Sequence, residues 1–474
     1  MTALRRYGVL FCNSFLVFGV YYFLQIPICL QNEIMNSYHS YNGTNHTRDQ
    51  TNCKVCLGLG ELRYNMLFSV SRWTNIVLSV PLGFLVDRLG NGRSAILYSS
   101  LTLLGSVMFT VGTMSHAPVT SSMYMLMVTG SGLLAFGDGP LRFVQARVVA
   151  HCFPESTLSA MTISGFGYCG LAISYYVTPY VDTVAGLIPS VWLGVVACGI
   201  GVMCAVGLAF LLPLHPRLDE DDKDNKMFTL RDLRALPGSY WLYIIAIALN
   251  AASWIPKQAN LPDYLMLRYG YTMIEASHIN GLSPIMLLPG ILACFLLKMV
   301  DCDGIMITFF MAWIVPLYAL MGFYKDVNVI IVNLVDGIGI GISSIMMWQI
   351  LMLMCPAKYV GSLAGLMFLL RNLNVAVIFL ASGYILQRHN VESVEDALCY
   401  YQHFFLMLII MASMSVVCGV VMNVLDIRKA CALNSRLARW RKSNMETMGL
   451  MSMTEPSSQY CGTDRVNNNT VSED

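Results

Sequence analysis

Charged residues are scarce in this sequence. Asp, Glu, Lys and Arg make up 12% of its 474 residues, whereas soluble globular domains contain roughly 25%. Apolar residues make up 56% of the chain, and the remaining charges nearly cancel to a net +1. This composition excludes an ordinary soluble enzyme. It predicts a protein that crosses a lipid bilayer many times.

Catalytic and cofactor-binding motifs are also missing from the sequence. The eight His residues lie in predicted loops or near the ends of predicted spans, and no H-E-x-x-H or paired-His motif occurs among them. The glycine-rich run at 337–341 lacks the strand and the lysine of a phosphate-binding loop. We therefore expect a protein that is not an enzyme and that uses no metal or cofactor.

Long apolar runs fill most of the chain instead. A helix that crosses a bilayer needs roughly 20 apolar residues, and the first run is too long for a cleavable signal peptide. The sequence predicts an all-α membrane protein with twelve transmembrane helices. They lie at 7–30, 64–86, 94–113, 122–149, 157–181, 187–213, 239–258, 278–300, 304–324, 327–352, 358–386 and 399–425, with part of 259–277 continuing the seventh.

A polar segment divides these spans into two sets of six. Residues 214–238 contain an acidic run and are predicted to form a cytosolic linker between a half at 1–213 and a half at 239–425. Residues 426–474 are predicted to form a cytosolic tail. Two six-helix halves are typical of secondary transporters, which bind solutes near the midplane between the halves.

The distribution of charge predicts an orientation. Most of the 29 Lys and Arg residues fall in loops on one side of the membrane, and cytoplasmic loops are enriched in these residues. Both termini are therefore predicted to be cytosolic. The glycosylation sequons at Asn42 and Asn45 agree, because they lie in the first loop on the other side. Cys53 and Cys56 share that loop and are open to disulfide formation with each other or with Cys29.

The stretch GFLVDRLGNGR at 83–93 follows the second span. It resembles the signature G-x-L-x-D-R-x-G-x-x-R of the major facilitator superfamily, which lies between the second and third spans. The resemblance implies a two-halved transporter fold that works by alternating access. It also implies a cytosolic gate, with Asp87 and Arg88 stabilising the outward-facing state. The residues of this gating motif are Gly83, Asp87, Arg88, Gly90 and Arg93.

Within that superfamily the chain resembles a branch of lysosomal dipeptide transporters over nearly all twelve spans. The resemblance implies dipeptide transport, a lysosomal membrane (or else the plasma membrane) as its location, and a glycosylated single-span accessory protein as a partner. Two positions depart from the pattern, since Gly139 replaces a Glu for the peptide amine and Gly170 replaces an Arg for the carboxylate. The matching residues are Tyr64, Asn65, Trp73, Asn75, Trp348, Pro356, Gly361, Gly365, Asn372, Leu373 and Gly383.

Five ionisable residues lie well inside the predicted spans. A charge at the centre of a spanning helix costs ~2.5–3.5 kcal/mol, so such residues usually face a water-filled cavity or one another. Asp138 and Arg142 are four residues apart and share a helix face. They either form an internal salt bridge that stabilises a helix containing Pro140, or they bind the amine and the carboxylate of a solute. The five residues are Arg72, Asp138, Arg142, Asp336 and Arg371.

The same two interpretations apply to Arg371 and Asp336, which either pair structurally or face the cavity. Arg72 either faces the cavity with them or reaches towards the luminal surface. Because three Arg residues face two Asp residues, the cavity is expected to be positive and to favour a carboxylate. The predicted substrate-binding residues are Asp138, Arg142, Arg371, Asp336, Trp348, Tyr64, Trp73 and Asn75.

Taken together, the sequence predicts a secondary-active or facilitative transporter of small carboxylate-bearing solutes, with dipeptides and amino acids as the candidates. The alternatives are a sensor or trafficking subunit that does not transport, and a carrier of another organic solute. Uniport and proton coupling both stay open, because a protonatable Asp138 or Asp336 permits coupling without requiring it. The expected partners are the solute, the bilayer and the accessory protein, with no nucleic acid among them.

Overall fold

The computed structural model describes residues 3–35, 57–115, 119–153, 165–212, 238–297, 302–324, 326–354, 360–387, 394–429 and 433–434. Within these ranges the regular structure is helical, with a 3-10 turn at Gly165–Tyr168 and no β-strand. The helices are α1 (Ala3–Phe15), α2 (Phe18–Cys29), α3 (Gln31–Met35), α4 (Gly60–Leu89), α5 (Asn91–Thr113), α6 (Ser121–Cys152), α7 (Cys169–Ala185), α8 (Leu187–Leu211), α9 (Gly238–Tyr269), α10 (Met273–Leu297), α11 (Asp303–Phe323), α12 (Val329–Met354), α13 (Val360–Leu386) and α14 (Val394–Lys429).

Every predicted span overlaps a helix of the described part, which confirms the all-α fold. By length and composition, the described residues contain eight helical segments that could cross a membrane, α1 and α2 being counted as one. These segments are Leu4–Cys29, Asn91–Thr113, Leu187–Leu211, Gly238–Tyr269, Asp303–Phe323, Val329–Leu351, Gly365–Leu386 and Val394–Arg428.

Several helices extend beyond the apolar runs that predict them. The continuation of the seventh span is confirmed, since α9 reaches Tyr269 instead of ending at residue 258. Its added turns carry Asn260 and Asp263, whose side chains bond to other helices. A prediction from hydropathy places the end of a span where polar residues begin. The helix itself can continue wherever those polar residues find hydrogen-bond partners.

The helices alternate in direction, so the bundle has two faces. We call the face at which α1 begins and α8 ends the amino-terminal face, and the other the opposite face. At the amino-terminal face, Arg5 Nε donates to the carbonyl of Leu211 over 2.7 Å. At the opposite face, the amide of Leu57 donates to the carbonyl of Glu33 over 2.9 Å. The gating motif therefore lies at the amino-terminal face, where α4 ends and α5 begins.

Two helix pairs make the most extensive contacts between α1–α8 and α9–α14. One pair is α4 with α13, and the other is α7 with α10. In the first pair, the rings of Phe68 and Phe379 stack with centroids 5.2 Å apart, and Ser69 Oγ donates to the carbonyl of Ala376 over 3.0 Å. In the second, Gly281 lies directly against the side chain of Tyr175. These pairs hold the two groups of helices together around a space between them.

Small residues allow α5 and α6 to pack closely. A Cβ atom on Gly105 would lie 2.5 Å from the amide nitrogen of Leu134, and one on Gly130 would lie 2.6 Å from that of Phe109. Such distances leave no room for a side chain, so glycine is required at both positions. Close backbone approach through small residues is a main source of helix association in a bilayer, where no hydrophobic effect drives helices together.

We expect Gly130→Val to destabilise the protein strongly, because its side chain would force α5 and α6 apart. Overpacking a closely packed site costs ~1–3 kcal/mol or more. The measurement is thermal unfolding of the purified protein in detergent. Gly199→Val on α8 is the control, since a Cβ at Gly199 meets nothing within 4 Å. Equal melting temperatures for the two variants would contradict this account of the packing.

Candidate functional site

A cavity of about 580 Å³ lies between the two groups of helices. Its lining extends from Ile28, Phe68 and Phe379, in the halves of α2, α4 and α13 nearer the opposite face, to Val149 and Leu353, which lie in the last turns of α6 and α12. The cavity therefore reaches towards the amino-terminal face. Its size suits a small solute. Its walls are mainly apolar and aromatic, including Tyr21, Phe68, Tyr168, Trp254, Trp348, Phe368 and Phe379.

An ion pair on α6 lies on the wall of this cavity. Arg142 Nη2 donates to Asp138 Oδ2 over 2.7 Å, and Arg142 Nε donates to Asp138 Oδ1 over 3.1 Å. Both carboxylate oxygens are thus engaged by one guanidinium, in the planar fork that makes such pairs strong. The Asp138 side chain is 4% exposed, whereas that of Arg142 is 29% exposed. Only the cation of the pair therefore presents much surface to the cavity.

Aromatic rings fix the position of Arg142 from the other side. Its guanidinium carbon lies 5.1 Å from the ring centroid of Tyr21. Tyr21 in turn stacks on Tyr168 with centroids 4.7 Å apart. Cations are attracted to the faces of aromatic rings, so a carboxylate on one side and a ring on the other hold this guanidinium in place.

Arg72 and Arg371 line the cavity beside this pair. They also line a side pocket of about 50 Å³ together with Asp138 and Arg142. Arg371 lies 5.8 Å from the ring of Phe368, and Arg72 Nε is buried with no hydrogen-bond partner in the described part of the chain. Neither arginine has an acidic partner among the described residues. Arg72 thus faces the cavity, which favours the first of the two interpretations of this residue over the one in which it reaches the luminal surface.

The described lining residues consequently carry a net positive charge. They include three arginines and one carboxylate, which gives +3 − 1 = +2 with all four groups ionised. Among the described residues, no group of three His, Cys, Asp or Glu side chains is placed to hold a metal ion. The arrangement has the chemistry to bind a small organic anion by charge-assisted hydrogen bonds.

The structure brings five of the eight predicted substrate residues to the cavity and leaves three elsewhere. Asp138, Arg142, Arg371, Trp348 and Asn75 line it. The other three are Tyr64, which is buried against α9, Trp73, which is 40% exposed and outside the lining, and Asp336, which is 1% exposed.

Asp336 pairs with a residue that the sequence analysis did not single out. Lys257 Nζ on α9 lies 3.0 Å from Asp336 Oδ2 and donates to Asn333 Oδ1 over 2.9 Å. Tyr318 adds its ring at 5.8 Å from the ammonium. Both charged side chains are almost completely buried. Neither alternative given for Asp336 is therefore formed, because an ammonium from a different helix already neutralises this carboxylate behind the cavity wall.

Polar side chains close the bundle on the opposite side of the cavity. Asn65 and Asn260 exchange two hydrogen bonds, of 3.1 and 3.0 Å, between α4 and α9. Next to them, Tyr64 Oη donates to the carbonyl of Ala259 over 2.9 Å. One turn further along α9, Asp263 accepts from Tyr401 Oη over 2.6 Å. These bonds join α4, α9 and α14, so the cavity is closed towards the opposite face.

The gating motif is only partly described. Gly83, Asp87 and Arg88 lie on α4, but their side chains fall outside the described part. Gly90 separates α4 from α5 with φ +77°, a conformation that favours glycine. Arg93 is exposed on α5. The sequons at Asn42 and Asn45, together with Cys53, Cys56 and nearly all of the linker and the tail, lie outside the described residues.

Signals for the missed residues were present but weak. Lys257 lies in the last turn of a predicted span, where a lysine normally reaches the headgroups. The helix continues beyond it, so the ammonium is buried. Gln25 and Gln258, which add amide groups to the cavity wall, are uncharged, so the cost of burying a charge does not point to them. Their signal in the sequence is that they are polar residues inside predicted spans.

Comparison with known proteins shows the same family over most of the chain. The model of the Major Facilitator Superfamily matches residues 8–379. The chain is 23% identical over 403 residues to the lysosomal dipeptide transporter MFSD1 of Danio rerio, covering 81% of each protein. It is 21% identical over 401 residues to the protein of that name in Homo sapiens, covering 81% of this chain and 80% of the other.

Solved structures of transporters share the fold. The nucleoside transporter NupG superposes with a TM-score of 0.62 at 14% identity, covering 88% of this chain and 99% of its own. The tetrameric PepTSo2 structure gives a TM-score of 0.63 at 14% identity, covering 90% and 100%. At such identities the likeness establishes the fold and not the solute.

We expect Lys257→Met to destabilise the protein by about 3–5 kcal/mol, because it leaves the buried Asp336 carboxylate without its partner. The double variant Lys257→Met/Asp336→Leu removes both charges and should recover most of that loss. Thermal unfolding of the three proteins in the same detergent measures the difference. A single variant as stable as the parent would show that the pair does not stabilise the fold.

A second prediction concerns Glu33 on α3, which hydrogen bonds with Asp182 at the opposite face. Burial, and then the neighbouring Asp182 carboxyl, raise the pKa of Glu33 far above its usual range. The folded protein thus keeps a proton that the unfolded chain releases above about pH 4.3, and stability falls as the pH rises. We expect Glu33→Gln, which mimics the protonated form, to melt higher than the parent near pH 8 and close to it near pH 5.

The control for this prediction is Glu275→Gln. Hydrogen bonds from the backbone and then the side chain of Thr272 lower the pKa of Glu275, so its contribution has the opposite sign. The stability that Glu275 contributes is present above the pKa that this residue has in the unfolded chain, and it is lost as the pH falls. Glu275→Gln should therefore melt slightly lower than the parent near pH 8. If both variants shift in the same direction, the assignment of the pH effect to Glu33 is wrong.

Proposed function

The chain belongs to the major facilitator superfamily, and on that premise we propose that it carries small carboxylate-bearing solutes across a membrane by alternating access. Dipeptides and amino acids are the first candidates, because the relatives named above are dipeptide transporters. The observation that carries the proposal is the positive cavity between the two groups of helices, closed at one face and extending towards the other.

Arg142 is the residue proposed to bind the carboxylate. Asp138 engages two of its nitrogens, while part of the side chain remains exposed to the cavity. Asp138 then acts as a positioning residue for Arg142. Charge-assisted hydrogen bonds in a low-dielectric site are stronger than neutral ones, so one guanidinium makes a large contribution to affinity. Gln25, Gln258 and Asn75 supply neutral polar groups for the rest of the solute.

The direction of access follows from the proposed orientation. With both termini in the cytosol, the amino-terminal face is cytosolic and the structure represents an inward-facing state. Access from the other side then requires the bonds between Asn65 and Asn260 to break while α6 and α12 close over the cavity. The pairs α4 with α13 and α7 with α10 would stay in contact during this rocking motion.

The proposed location is the lysosomal membrane, as in the named relatives, with Asn42 and Asn45 glycosylated in the lumen. A glycosylated single-span accessory protein remains a proposed partner. Proton coupling through Asp138 or Asp336 would require release from Arg142 or Lys257, because each carboxylate is held by a cation. Uniport needs no such rearrangement and is the simpler mechanism for this structure.

Uptake of labelled Ala-Ala and of labelled amino acids into proteoliposomes tests this proposal. We expect saturable uptake by the full-length chain, and a loss of about 10-fold or more with Arg142→Gln, because a hydrogen bond to a charged group is worth ~1.5–3 kcal/mol. That variant also leaves Asp138 unpaired, so Asp138→Asn/Arg142→Gln is made beside it to separate misfolding from lost binding. Both should lose uptake, and the double variant should melt near the parent.

Arg63→Gln is the matched control, since Arg63 is exposed near the opposite face and outside the cavity lining. It should transport at the level of the parent. If the well-folded double variant still takes up solute normally, Arg142 is not the carboxylate site. Saturable binding with no flux at any pH gradient would instead favour a sensor on the same fold.

A further inference from the structure

The cavity offers no free acid to a substrate amine. Asp138 is the one carboxylate among its described lining residues, and both of its oxygens accept from Arg142. Asp336 is neutralised by Lys257 behind the wall. A zwitterion would therefore place its ammonium beside cations and amides, where no charged partner balances it.

Two cations remain in excess after this pairing. Arg72 comes from α4 and Arg371 from α13, and the described part of the chain provides an acidic partner for neither. Arg72 is repelled by Arg142 and Arg371, and Arg371 is repelled by Arg142, with part of this repulsion offset by Asp138. Uncompensated charges inside a membrane protein are costly and mark ligand or ion pathways.

The position of these arginines indicates where an anion that balances their charge would bind. Arg72, Arg142 and Arg371 all line the side pocket of about 50 Å³ as well as the main cavity. They come from three helices, two in the first group and one in the second. A ligand held by all three would bridge the two groups of helices, which is where a carrier must sense its solute.

We propose that the solute is an organic dianion, which neutralises Arg72 and Arg371 together. This inference rests on the proposed transport of carboxylate-bearing solutes and narrows it, because it ranks dianions above the zwitterionic dipeptides and amino acids. The two negative charges belong either to two carboxylates, as in a dicarboxylic acid, or to one phosphoryl group, as in a phosphate monoester. Either fits the charge of +2, whereas a monocarboxylate leaves one arginine unpaired.

Succinate and butyrate form the matched pair that tests the proposal, because they share four carbons and differ by one carboxylate. Glycerol phosphate tests the phosphoryl arm, and Ala-Ala tests the zwitterion. Uptake of each labelled solute into proteoliposomes of the full-length chain is measured near pH 7.5, where carboxyl groups are ionised. We expect succinate or glycerol phosphate to be taken up about 10-fold or more faster than butyrate and Ala-Ala at equal low concentration.

Variants of the two arginines give a readout that a structural role would not produce. Arg72→Gln and Arg371→Gln should each reduce the preference for the dianion over butyrate to near one, and Arg63→Gln should keep it. Because the empty site loses a repulsive charge, the two cavity variants should also melt at or above the temperature of the parent. Arg72→Lys keeps the charge and should keep most of the preference.

Outcomes that overturn this inference differ from those that overturn the proposed function. Uptake of Ala-Ala or butyrate equal to that of both dianions leaves carboxylate transport standing but removes the dianion. Loss of preference together with a lower melting temperature in both arginine variants means that the arginines support the fold and not the solute. If none of the four solutes is taken up or raises the melting temperature, the dianion and the proposed function fall together.

Discussion

The cost of burying an unpaired charge decides how the charged side chains in and around the cavity are placed. In a low-dielectric interior a charge must find a partner or face water. Asp336 meets Lys257 between α9 and α12, and Asp138 meets Arg142 one turn along α6. Arg72 and Arg371 have no such partner in the described part of the chain and line the cavity. The cavity is thus the place where charge remains unbalanced, and that imbalance gives it its chemistry.

In its described part, the bundle is closed on one side of the cavity and not on the other. Neutral amides and hydroxyls join α4, α9 and α14 on the opposite side of the cavity, while the lining continues to the last turns of α6 and α12. Neutral hydrogen bonds make a modest net contribution each, so such a closure can break and re-form without a large barrier. The charged pairs of the interior are instead suited to remaining intact, since separating them would leave buried charges unpaired.

The sequence was sufficient for the fold because apolar runs of bilayer length leave few alternatives. It was also sufficient for the pair of Asp138 and Arg142, whose spacing of four residues fixes their contact. It was insufficient for Asp336, because Lys257 lies on another helix, 79 residues away in the chain. Local spacing carries no information about such a contact. For a related reason it left two placements open for Arg72, since the rotation of α4 about its axis depends on how α4 packs against α6 and α13.

One turn of α9 connects these separate features. Lys257 forms the buried ion pair and Gln258 lines the cavity. The carbonyl of Ala259 accepts from Tyr64, and Asn260 exchanges hydrogen bonds with Asn65, which together close the opposite face. Four consecutive residues of a helix point in four directions about 100° apart, so this turn contacts the wall, the solute space and the closure at once. A shift of α9 that breaks the closure therefore moves Gln258 within the cavity as well. Because Lys257 ties the turn to α12, movement of Gln258 and opening of the closure at Asn260 are linked within one helical turn under the proposed alternating access, without any longer pathway between them.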